Sequence, residues 1–433
     1  MQKVIEVCSR VEGHGNLNIY LQNDNISQVE FDISPYRGFE NLLIGKELID
    51  VPRIVSRICG LCHASQTIAS CKAIENLYQV KPSAQSILIR RLLMTGELIK
   101  SHIMHYFFQS LPDLFSIFNI DKKIQNFYDL IKFDPQLTQN VYDLIKVGTF
   151  IDNIFGGRVI HLITSIPGGV FYNPSKKNIL ITQNYLHKSI NNIEYIIESF
   201  LKLFSNYHAP IEFNLQNISS IGLTDNGKYD RYNGEIRIDR FNKNIKDFQL
   251  ENYSEFFDKD PDLLGLDIHL NKNEYLLTGP SSRFQVIDGY GLDKISDYLK
   301  IFNLSWKNSI LFSIFLQLIE IYYEIRESMD LLKSSLLNKK EALLNLKSIK
   351  NMDGIGVVEA PRGILIHHYH LNKAHIINQA KLFIATEIKM PLINKMITEY
   401  AQKLYEKEDI DSVRKKVQIM VRAFDPCISC ATH

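Results

Sequence analysis

Two C-x-x-C pairs near opposite ends of the sequence place the strongest constraint on how this chain folds. Cys59 and Cys62 form the first pair, and Cys427 and Cys430 form the second. Two thiolates at this spacing can bind one metal ion, and thiolates suit soft or borderline metals such as zinc, nickel and iron. A site that uses both pairs requires a fold in which these two distant parts of the chain meet.

The spacing of the pairs argues against the commonest alternatives but leaves them open. Two such pairs most often bind a structural zinc ion, but zinc modules usually place the pairs about 15–20 residues apart, whereas most of this chain lies between them. Either pair could also be a redox-active dithiol, although neither lies in a thioredoxin-like βαβ pattern. The other cysteines, Cys8 and Cys71, are too few to hold a four-cysteine iron–sulfur cluster, and we expect them to be packing thiols.

The composition is that of an ordinary globular protein. Of 433 residues, 45% are hydrophobic, 22% are charged, and the formal net charge is +1, which gives no reason to propose nucleic acid or an anionic membrane as a partner. The most apolar helix candidate, 310–325, is interrupted by polar and charged residues, so it predicts a core helix without membrane insertion. The first ten residues lack the pattern of a secretory signal. We therefore expect a cytoplasmic protein, unless a partner carries it across a membrane.

The hydrophobic pattern predicts a mixed fold that is mainly α with β excursions. Alternating apolar residues on both sides of Asn23-Asp24-Asn25 predict an N-terminal β hairpin, and alternation returns at 354–369, broken at 360–363. The region 215–290 predicts loops with short strands. Segments with helical periodicity are 82–107, which starts at Pro82-Ser83, and those around 186–206, 304–335 and 374–405. No repeat or long linker interrupts the chain, so we expect a single domain over residues 1–433.

The residues around the cysteine pairs are more specific than the spacing. The segments RICGLC at 57–62 and DPCISCATH at 425–433 resemble R-x-C-G-x-C and D-P-C-x-x-C-x-x-H, the two signature ends of nickel–iron hydrogenase large subunits. Further blocks of that family follow in the same order: SRVEGH at 9–14, RGFE at 37–40, GGR at 156–158 with His161, PGG at 167–169, EAPRG at 359–363 and HHY at 367–369. The resemblance spans essentially the whole chain. The blocks at 156–169 and 382–386 are most similar to the cytoplasmic, cofactor-linked branch.

This resemblance implies the fold of those large subunits, with a central helical core, and a nickel–iron centre held by four cysteines. Cys59 and Cys427 are then terminal nickel ligands, Cys62 and Cys430 bridge nickel to iron, and iron carries carbon monoxide and cyanide. The implied reaction is the reversible heterolytic cleavage of dihydrogen to protons and electrons, with Cys427 as one candidate base. The electrons leave through the iron–sulfur clusters of a required small subunit, and further electron-acceptor subunits are expected.

The resemblance also assigns catalytic roles to three charged residues. Arg362 is the second candidate base, but an arginine is normally protonated at any working pH, so a positioning and electrostatic role is at least as well supported. Asp425 is then expected to orient Arg362. Glu12 is the expected proton relay, because desolvation near a cluster can tune a carboxylate towards a neutral pKa. The alternative for Glu12 is a buried ion pair with Arg10 or Arg57.

A second metal site follows from the same resemblance. It holds magnesium or iron through Glu40, the imidazole of His433 and a backbone carbonyl, which we assign to Leu382. Many members of the family carry an extension that is removed after this histidine. The sequence is consistent either with the mature form or with a gene that lacks the extension, as in hydrogen sensors.

Three positions depart from the pattern of the family. Gln66 stands where a histidine is usual; it can donate a hydrogen bond towards a bridging sulfur but cannot take up a proton. Ser101 replaces an aspartate that supports Arg362, and Leu162 replaces a proline. His63 either compensates for Gln66 or lies at the surface, and we favour the surface position.

Three functional hypotheses follow. The leading one is an enzyme that passes electrons between dihydrogen and an acceptor through partner subunits. The second is a regulatory hydrogenase that senses hydrogen with slow turnover, which Gln66 and the end of the chain at His433 favour. The third is a structural zinc protein, or a cluster-free relative from the line of the respiratory complex I quinone-site subunit, which lacks the four cysteines.

Overall fold

Helices form most of the structure. It is a computed structural model, and it describes residues 2–33, 36–239, 246–248, 253–254, 275–338, 343–344 and 346–433. In chain order the helices are α1 (Phe39–Leu43), α2 (Val51–Val55), α3 (His63–Tyr78), α4 (Ala84–Met104), α5 (Leu111–Ile117), α6 (Phe127–Phe133), α7 (Pro135–Gly156), α8 (Lys176–Phe204), α9 (Pro280–Val286), α10 (Asp293–Ile301), α11 (Leu304–Lys307), α12 (Phe312–Leu331), α13 (Ala385–Tyr405), α14 (Ile410–Ala423) and α15 (Ile428–Ala431). A π-helical turn, His105–Ser110, follows α4. The mainly helical character predicted from the sequence is confirmed.

The strands form small, mostly antiparallel sheets around these helices. They are β1 (Gln2–Val7), β2 (Asn16–Gln22), β3 (Asn25–Asp32), β4 (Ser165–Ile166), β5 (Gly169–Val170), β6 (Ile218–Asp225), β7 (Lys228–Tyr229), β8 (Glu235–Asp239), β9 (Lys246–Phe248), β10 (Tyr275–Leu277), β11 (Asp353–Ala360), β12 (Gly363–Leu371) and β13 (Ile377–Phe383). Two three-stranded sheets have the orders β1-β2-β3 and β11-β12-β13, and a larger one has the order β10-β6-β8-β9 with β7 paired to β6.

The predicted N-terminal hairpin is present, with one strand more than expected. β2 and β3 pair across the turn at Asn23 and Asp24, both of which adopt positive φ. β1 adds to the outer side of β2. The hydrophobic pattern missed β1 because its apolar residues Ile5 and Val7 face outwards and are more than half exposed, so no buried face marks this strand.

The predicted helices are present, but several boundaries differ. The helix predicted around 186–206 is α8 and begins earlier, at Lys176, and the segment 304–335 holds α11 and α12 with a break between them. α4 begins where expected, with the Ser83 hydroxyl accepting a hydrogen bond from the Ser86 backbone N–H. The core helix predicted at 310–325 is α12. The helix predicted at 374–405 is wrong in its first part, because β13 occupies Ile377–Phe383 and α13 begins only at Ala385. Apolar residues in this stretch fit both the period of a strand and that of a helix, and pairing with β12 decides for the strand.

The remaining predicted segments fall on strands and loops. The alternation at 354–369 corresponds to β11 and β12, whose register runs from Asp353 opposite His370 to Ala360 opposite Gly363, so Pro361-Arg362 forms the turn between them. The described parts of 215–290 contain short strands, as predicted. Residues 240–245, 249–252 and 255–274 of that region lie outside the described residues. The prediction of a single domain over 1–433 stays a prediction.

One continuous apolar core includes the four cysteines of the two pairs together with side chains from all the long helices. α3 follows the first cysteine pair directly and packs against β11, where Gly354 and Gly356 allow the helix backbone to approach the strand. α4 packs on α7 and α12, and α13 packs on β3. Among the described helices, none combines the length and the apolar character that crossing a membrane requires.

The contact between α3 and β11 provides a test of this packing. A side chain at Gly356 would overlap the Ala69 carbonyl oxygen and the Ala73 backbone nitrogen, and backbone cannot move aside cheaply. We expect Gly356→Ala to lower the free energy of unfolding by about 3 kcal/mol or more, the upper end of the cost of overpacking. The control is Gly45→Ala, where the new Cβ would have no neighbour within 4 Å. Its free energy of unfolding should fall by only about 1 kcal/mol, because the backbone there is left-handed, with φ of +76°. Equal unfolding midpoints for the two variants would contradict this packing.

Candidate metal centre

The structure brings the two cysteine pairs into one buried cluster. Cys59 and Cys62 lie just before α3, Cys427 precedes α15, and Cys430 lies within α15. The four sulfur atoms all lie within 4.8 Å of one another, with Cys59 and Cys427 Sγ 3.5 Å apart. Each residue is at most 3% exposed. A single metal centre can therefore take all four thiolates.

The donor set fits the nickel–iron centre implied by the sequence. All four cysteines are free of disulfides, and thiolates are soft donors that suit nickel, iron and zinc. Hydrogen bonds from the other three thiols, first that of Cys427, lower the pKa of Cys59 well below its ordinary value.

Hydrogen bonds to the N-terminal segment hold the second cysteine pair in place. The Ser429 backbone N–H donates to Glu12 Oε2 at 3.0 Å, and the Ser429 hydroxyl donates to Glu12 Oε1 at 2.6 Å. The Ile428 backbone N–H donates to the Glu12 carbonyl oxygen at 3.0 Å. Gly13, with φ of +89°, allows this approach, since a Cβ there would come within 2.8 Å of Ile428 Cβ. The two distant cysteine segments are thus joined through Glu12.

Glu12 also lies directly beside the sulfur atoms. Its Oε2 is 3.1 Å from Cys427 Sγ, and its Oε1 is 3.8 Å from Cys59 Sγ. Burial, followed by the negative charge of Cys59, raises the pKa of the Glu12 carboxyl. The alternative ion pair is not what the structure shows, because Arg10 pairs with Asp113 at 2.5 Å and Arg57 is exposed.

Arg362 reaches the cluster from the turn between β11 and β12. Its Nη1 is 3.6 Å from Cys62 Sγ, and its Nε donates to Asp425 Oδ1 at 2.8 Å. Asp425 is further held by Gln317, whose Nε2 donates to Oδ2 at 2.9 Å. Against the effect of burial, Asp425 raises the pKa of Arg362 well above its ordinary value, so the guanidinium is cationic. Within the described residues, Arg362 Nη2 and Ser101 Oγ have no hydrogen-bond partner.

The position predicted for His63 is wrong. His63 is fully buried at the start of α3 and faces α4 and α7 instead of solvent. Its Nε2 is 3.6 Å from Asp152 Oδ2, and Lys100 pairs with the same carboxylate. Burial, and then the charge of Lys100, lowers the pKa of His63 to about 3. The sequence pattern did not show this, because the helices that cover His63 are distant along the chain.

The hydrogen bond predicted from Gln66 towards a cysteine sulfur is present. One helical turn after Cys62, its Nε2 donates to Cys430 Sγ at 3.9 Å. Its Oε1 lies 2.8 Å from His367 Nε2. Burial lowers the pKa of His367 to about 3, so this ring is neutral near neutral pH.

Sequence reasoning missed the residue that anchors the turn carrying Arg362. Arg283 in α9 is 1% exposed and pairs with Glu320 at 2.6 Å and Glu359 at 2.7 Å. Its Nη2 also donates to the Pro361 carbonyl oxygen at 2.9 Å. Arg283 belongs to no motif and lies in a region predicted only as loops and strands. The sequence around such a charged residue carries no signal of its distant partners until the fold is known.

The residues predicted for a second metal site also lie together. Glu40 Oε1 is 3.4 Å from His433 Nε2, and Tyr36 donates its hydroxyl to Glu40 Oε2 at 3.1 Å. The Leu382 backbone N–H donates to Glu40 Oε1 at 2.6 Å. The contact seen for Leu382 is therefore made by its amide, whereas the sequence assigned its carbonyl as a ligand. His433 is fully buried, and its Nδ1 lies 2.8 Å from the Cys430 carbonyl oxygen.

Comparison with known proteins identifies the family. Residues 37–147 and 313–433, more than half of the chain and including all four cysteines, match the family described as nickel-dependent hydrogenase. The chain belongs to the nickel-dependent hydrogenase family. It is a hydrogenase of the nickel–iron type, and the resemblance found in the sequence is confirmed.

Two curated relatives and one solved structure cover nearly the whole hydrogenase chain. A subunit of the F420-non-reducing hydrogenase of Methanothermobacter marburgensis is 29% identical over 99% of this chain and 94% of its own length. The beta subunit of the NAD-reducing hydrogenase HoxS of Cupriavidus necator is 26% identical with the same coverage. The crystal structure of an NAD+-reducing [NiFe]-hydrogenase in the H2-reduced state superposes with a TM-score of 0.92 at 26% identity, covering 100% of both chains. The predicted large-subunit fold is confirmed.

The ion pair at the cluster allows a stability test. Asp425→Ala leaves the buried Arg362 guanidinium without its carboxylate, and breaking such a pair costs about 3–5 kcal/mol. We therefore expect a large drop in the unfolding midpoint of the purified hydrogenase complex. The matched control Asp411→Ala removes a carboxylate that is 73% exposed and pairs with Arg414, and it should cost at most about 1 kcal/mol. Similar midpoints for the two variants would contradict a structural role for Asp425.

Proposed function

We propose that this chain is the catalytic large subunit of an enzyme that cleaves dihydrogen reversibly and heterolytically into protons and electrons. The observation that carries the proposal is the cluster of four buried cysteine sulfurs, all within 4.8 Å of one another, from segments that match the family. A structural zinc ion would use the same sulfurs, but it would need neither the carboxyl of Glu12 beside them nor the buried cation of Arg362.

The four cysteines would hold the nickel–iron centre. Cys59 and Cys427 would be terminal nickel ligands, Cys62 and Cys430 would bridge to iron, and carbon monoxide and cyanide would complete the iron. Such a centre, when bound, supplies the open metal position at which dihydrogen is split. The guanidinium of Arg362 lies 3.6 Å from Cys62 Sγ and compensates the negative charge that four thiolates bring into a dry interior.

Glu12 would carry the proton away from the cluster. Its carboxyl contacts Cys427 Sγ at 3.1 Å, so a proton on that sulfur needs to cross only one hydrogen bond. The Ser429 hydroxyl and backbone N–H hold both oxygens in position. Asp425 acts on Arg362 and not on the proton, because both of its oxygens are engaged by Arg362 and Gln317.

The electrons would leave through other chains. The relatives are named as subunits of hydrogenases that are F420-non-reducing or NAD-reducing, which supports an assembly of several subunits here as well. We propose a partner with iron–sulfur clusters, since Cys8 and Cys71 are the cysteines left over. Both are buried, and burial raises the pKa of each thiol to about 12, which suits packing.

We also propose magnesium or iron at Glu40 and His433, with the Leu382 carbonyl as a further ligand. The cytoplasmic location stays a prediction.

A hydrogen-sensing role with slow turnover is the second candidate, and Gln66 favours it. This residue contacts Cys430 but cannot accept a proton. Hydrogen-driven reduction of a viologen dye by the purified complex distinguishes the two. Fast, sustained turnover supports the enzyme and rejects the sensor, whereas sluggish turnover together with a copurifying kinase rejects the enzyme.

Loss of a ligand provides the first test of the metal centre. Cys427→Ala removes a sulfur within contact distance of two others, and we expect nickel retention to be lost. Nickel per protein is measured by elemental analysis of the purified complex. The control Cys71→Ala removes a buried thiol outside the cluster and should leave the nickel content unchanged. Full nickel content in Cys427→Ala would disprove its ligand role.

The relay role of Glu12 predicts a separation between assembly and proton transfer. Glu12→Gln keeps the shape and one oxygen that accepts from the Ser429 backbone N–H, while its NH2 group can donate to the Ser429 hydroxyl oxygen. The amide cannot pass a proton, so nickel should remain bound. Exchange between deuterium gas and water protons should slow by about 10²-fold or more. The control is Glu6→Gln, which changes a carboxylate on β1 that pairs with Arg414 of α14. This variant should not slow exchange. Normal exchange in Glu12→Gln would place the relay elsewhere.

A further inference from the structure

A chain of buried polar groups leads away from Cys430 into the protein. Gln66 Nε2 donates to Cys430 Sγ at 3.9 Å, and Gln66 Oε1 lies 2.8 Å from His367 Nε2. On the other side of the ring, His367 Nδ1 lies 2.7 Å from the Tyr369 hydroxyl, which lies 2.9 Å from Ser70 Oγ. All five residues are at most 3% exposed. The chain ends at a buried serine, so it offers no path to solvent.

The polarity of this chain determines which end of the Gln66 amide faces the sulfur. A side-chain amide can turn so that either its oxygen or its NH2 group points at a given neighbour. An oxygen facing the sulfur of Cys430 would place two acceptors against each other in a dry site, where an unpaired polar group costs about 1–3 kcal/mol. With the NH2 group at the sulfur, the carbonyl oxygen needs a donor on its other side.

His367 is that donor. A neutral imidazole has one N–H and one lone pair, and a partner at one nitrogen decides which nitrogen is protonated. Gln66 Oε1 can only accept, so the proton of this ring lies on Nε2, which donates to Oε1 at 2.8 Å. The unprotonated Nδ1 then faces the Tyr369 hydroxyl at 2.7 Å. His367 and Tyr369 point to the same side of β12, while Gln66 and Ser70 lie one helical turn apart on α3. The chain therefore joins two packed elements and not flexible loops.

We propose that His367 is a positioning residue of the metal centre: it fixes the Gln66 amide so that this residue donates a hydrogen bond to the sulfur of Cys430. The inference rests on the proposed function, because the bond matters only if Cys430 binds the centre. Hydrogen bonds to metal-bound sulfur withdraw electron density from the ligand and so tune the electronic state of the metals. His367 acts on the nickel–iron centre through Gln66.

This relation distinguishes positioning from packing. If His367 only filled space, replacing it would disturb the centre independently of Gln66. If it acts through Gln66, removing it has no further effect once the amide is gone. The two substitutions are then non-additive, which a double-mutant cycle detects.

The test is infrared spectroscopy of the purified hydrogenase complex, in which the stretching band of iron-bound carbon monoxide reports electron density at the metal. Gln66→Leu and His367→Leu should both move this band to lower frequency, because the sulfur becomes a stronger donor. The double variant should show the shift of Gln66→Leu alone. Tyr369→Phe, which removes the hydroxyl at Nδ1, should give a smaller shift in the same direction. His367→Gln retains an N–H donor and should restore the band towards its original position.

The outcomes separate this inference from the function on which it rests. Absence of carbon monoxide and cyanide bands in the unmodified complex overturns the proposed function, and the inference with it. Bands present but unmoved by His367→Leu, or shifts of the two single variants that add in the double variant, overturn the inference alone. If His367→Leu fails to fold, Tyr369→Phe decides: a shift in the direction of Gln66→Leu supports the role of His367, and an unchanged band overturns it.

Discussion

The metal centre depends on hydrogen bonds that hold the segment around Cys427 and Cys430 inside the protein. Glu12 supplies most of them, through both carboxyl oxygens and its backbone carbonyl. Arg37 adds a second clamp, since its guanidinium contacts the carbonyl oxygens of Ile58 and Ser429. Through Arg37, these bonds link the two cysteine segments directly. In the proposed mechanism the same carboxyl also takes the proton from Cys427 Sγ, 3.1 Å away, so one residue would serve both ligand placement and proton transfer.

Buried charge gives the centre its second constraint. Two oppositely charged groups lose their hydration when they are buried, so such a pair is retained only with good geometry and further hydrogen bonds. Arg283 meets this condition with Glu320 and Glu359, and Arg362 meets it with Asp425. The ion pairs of Arg283 fix the turn between β11 and β12. The ion pair with Asp425 directs the guanidinium of Arg362 from that turn to the sulfur atoms. The cost of these charges favours one geometry over other packings of the same turn.

The sequence predicts the ligands and the broad fold for a physical reason. Metal binding demands particular atoms at particular positions, so the spacing of the cysteines and the motifs around them can be read directly from the sequence. The predictions that failed concern tertiary contacts. His63 was expected at the surface because its burial depends on α4 and α7, and the strand Ile377–Phe383 was taken for helix because its pairing with β12 is not local. The roles of Arg283 and His367 likewise depend on partners that lie far along the chain.

The central claim is that the sulfurs of all four cysteines hold one nickel and one iron. X-ray absorption at the nickel edge of the purified complex tests it most directly, because the technique identifies the atoms around the metal. The account predicts a nickel environment dominated by sulfur, with an iron atom as a near neighbour. A complex that contains zinc and no nickel, or nickel surrounded by nitrogen and oxygen alone, would contradict it.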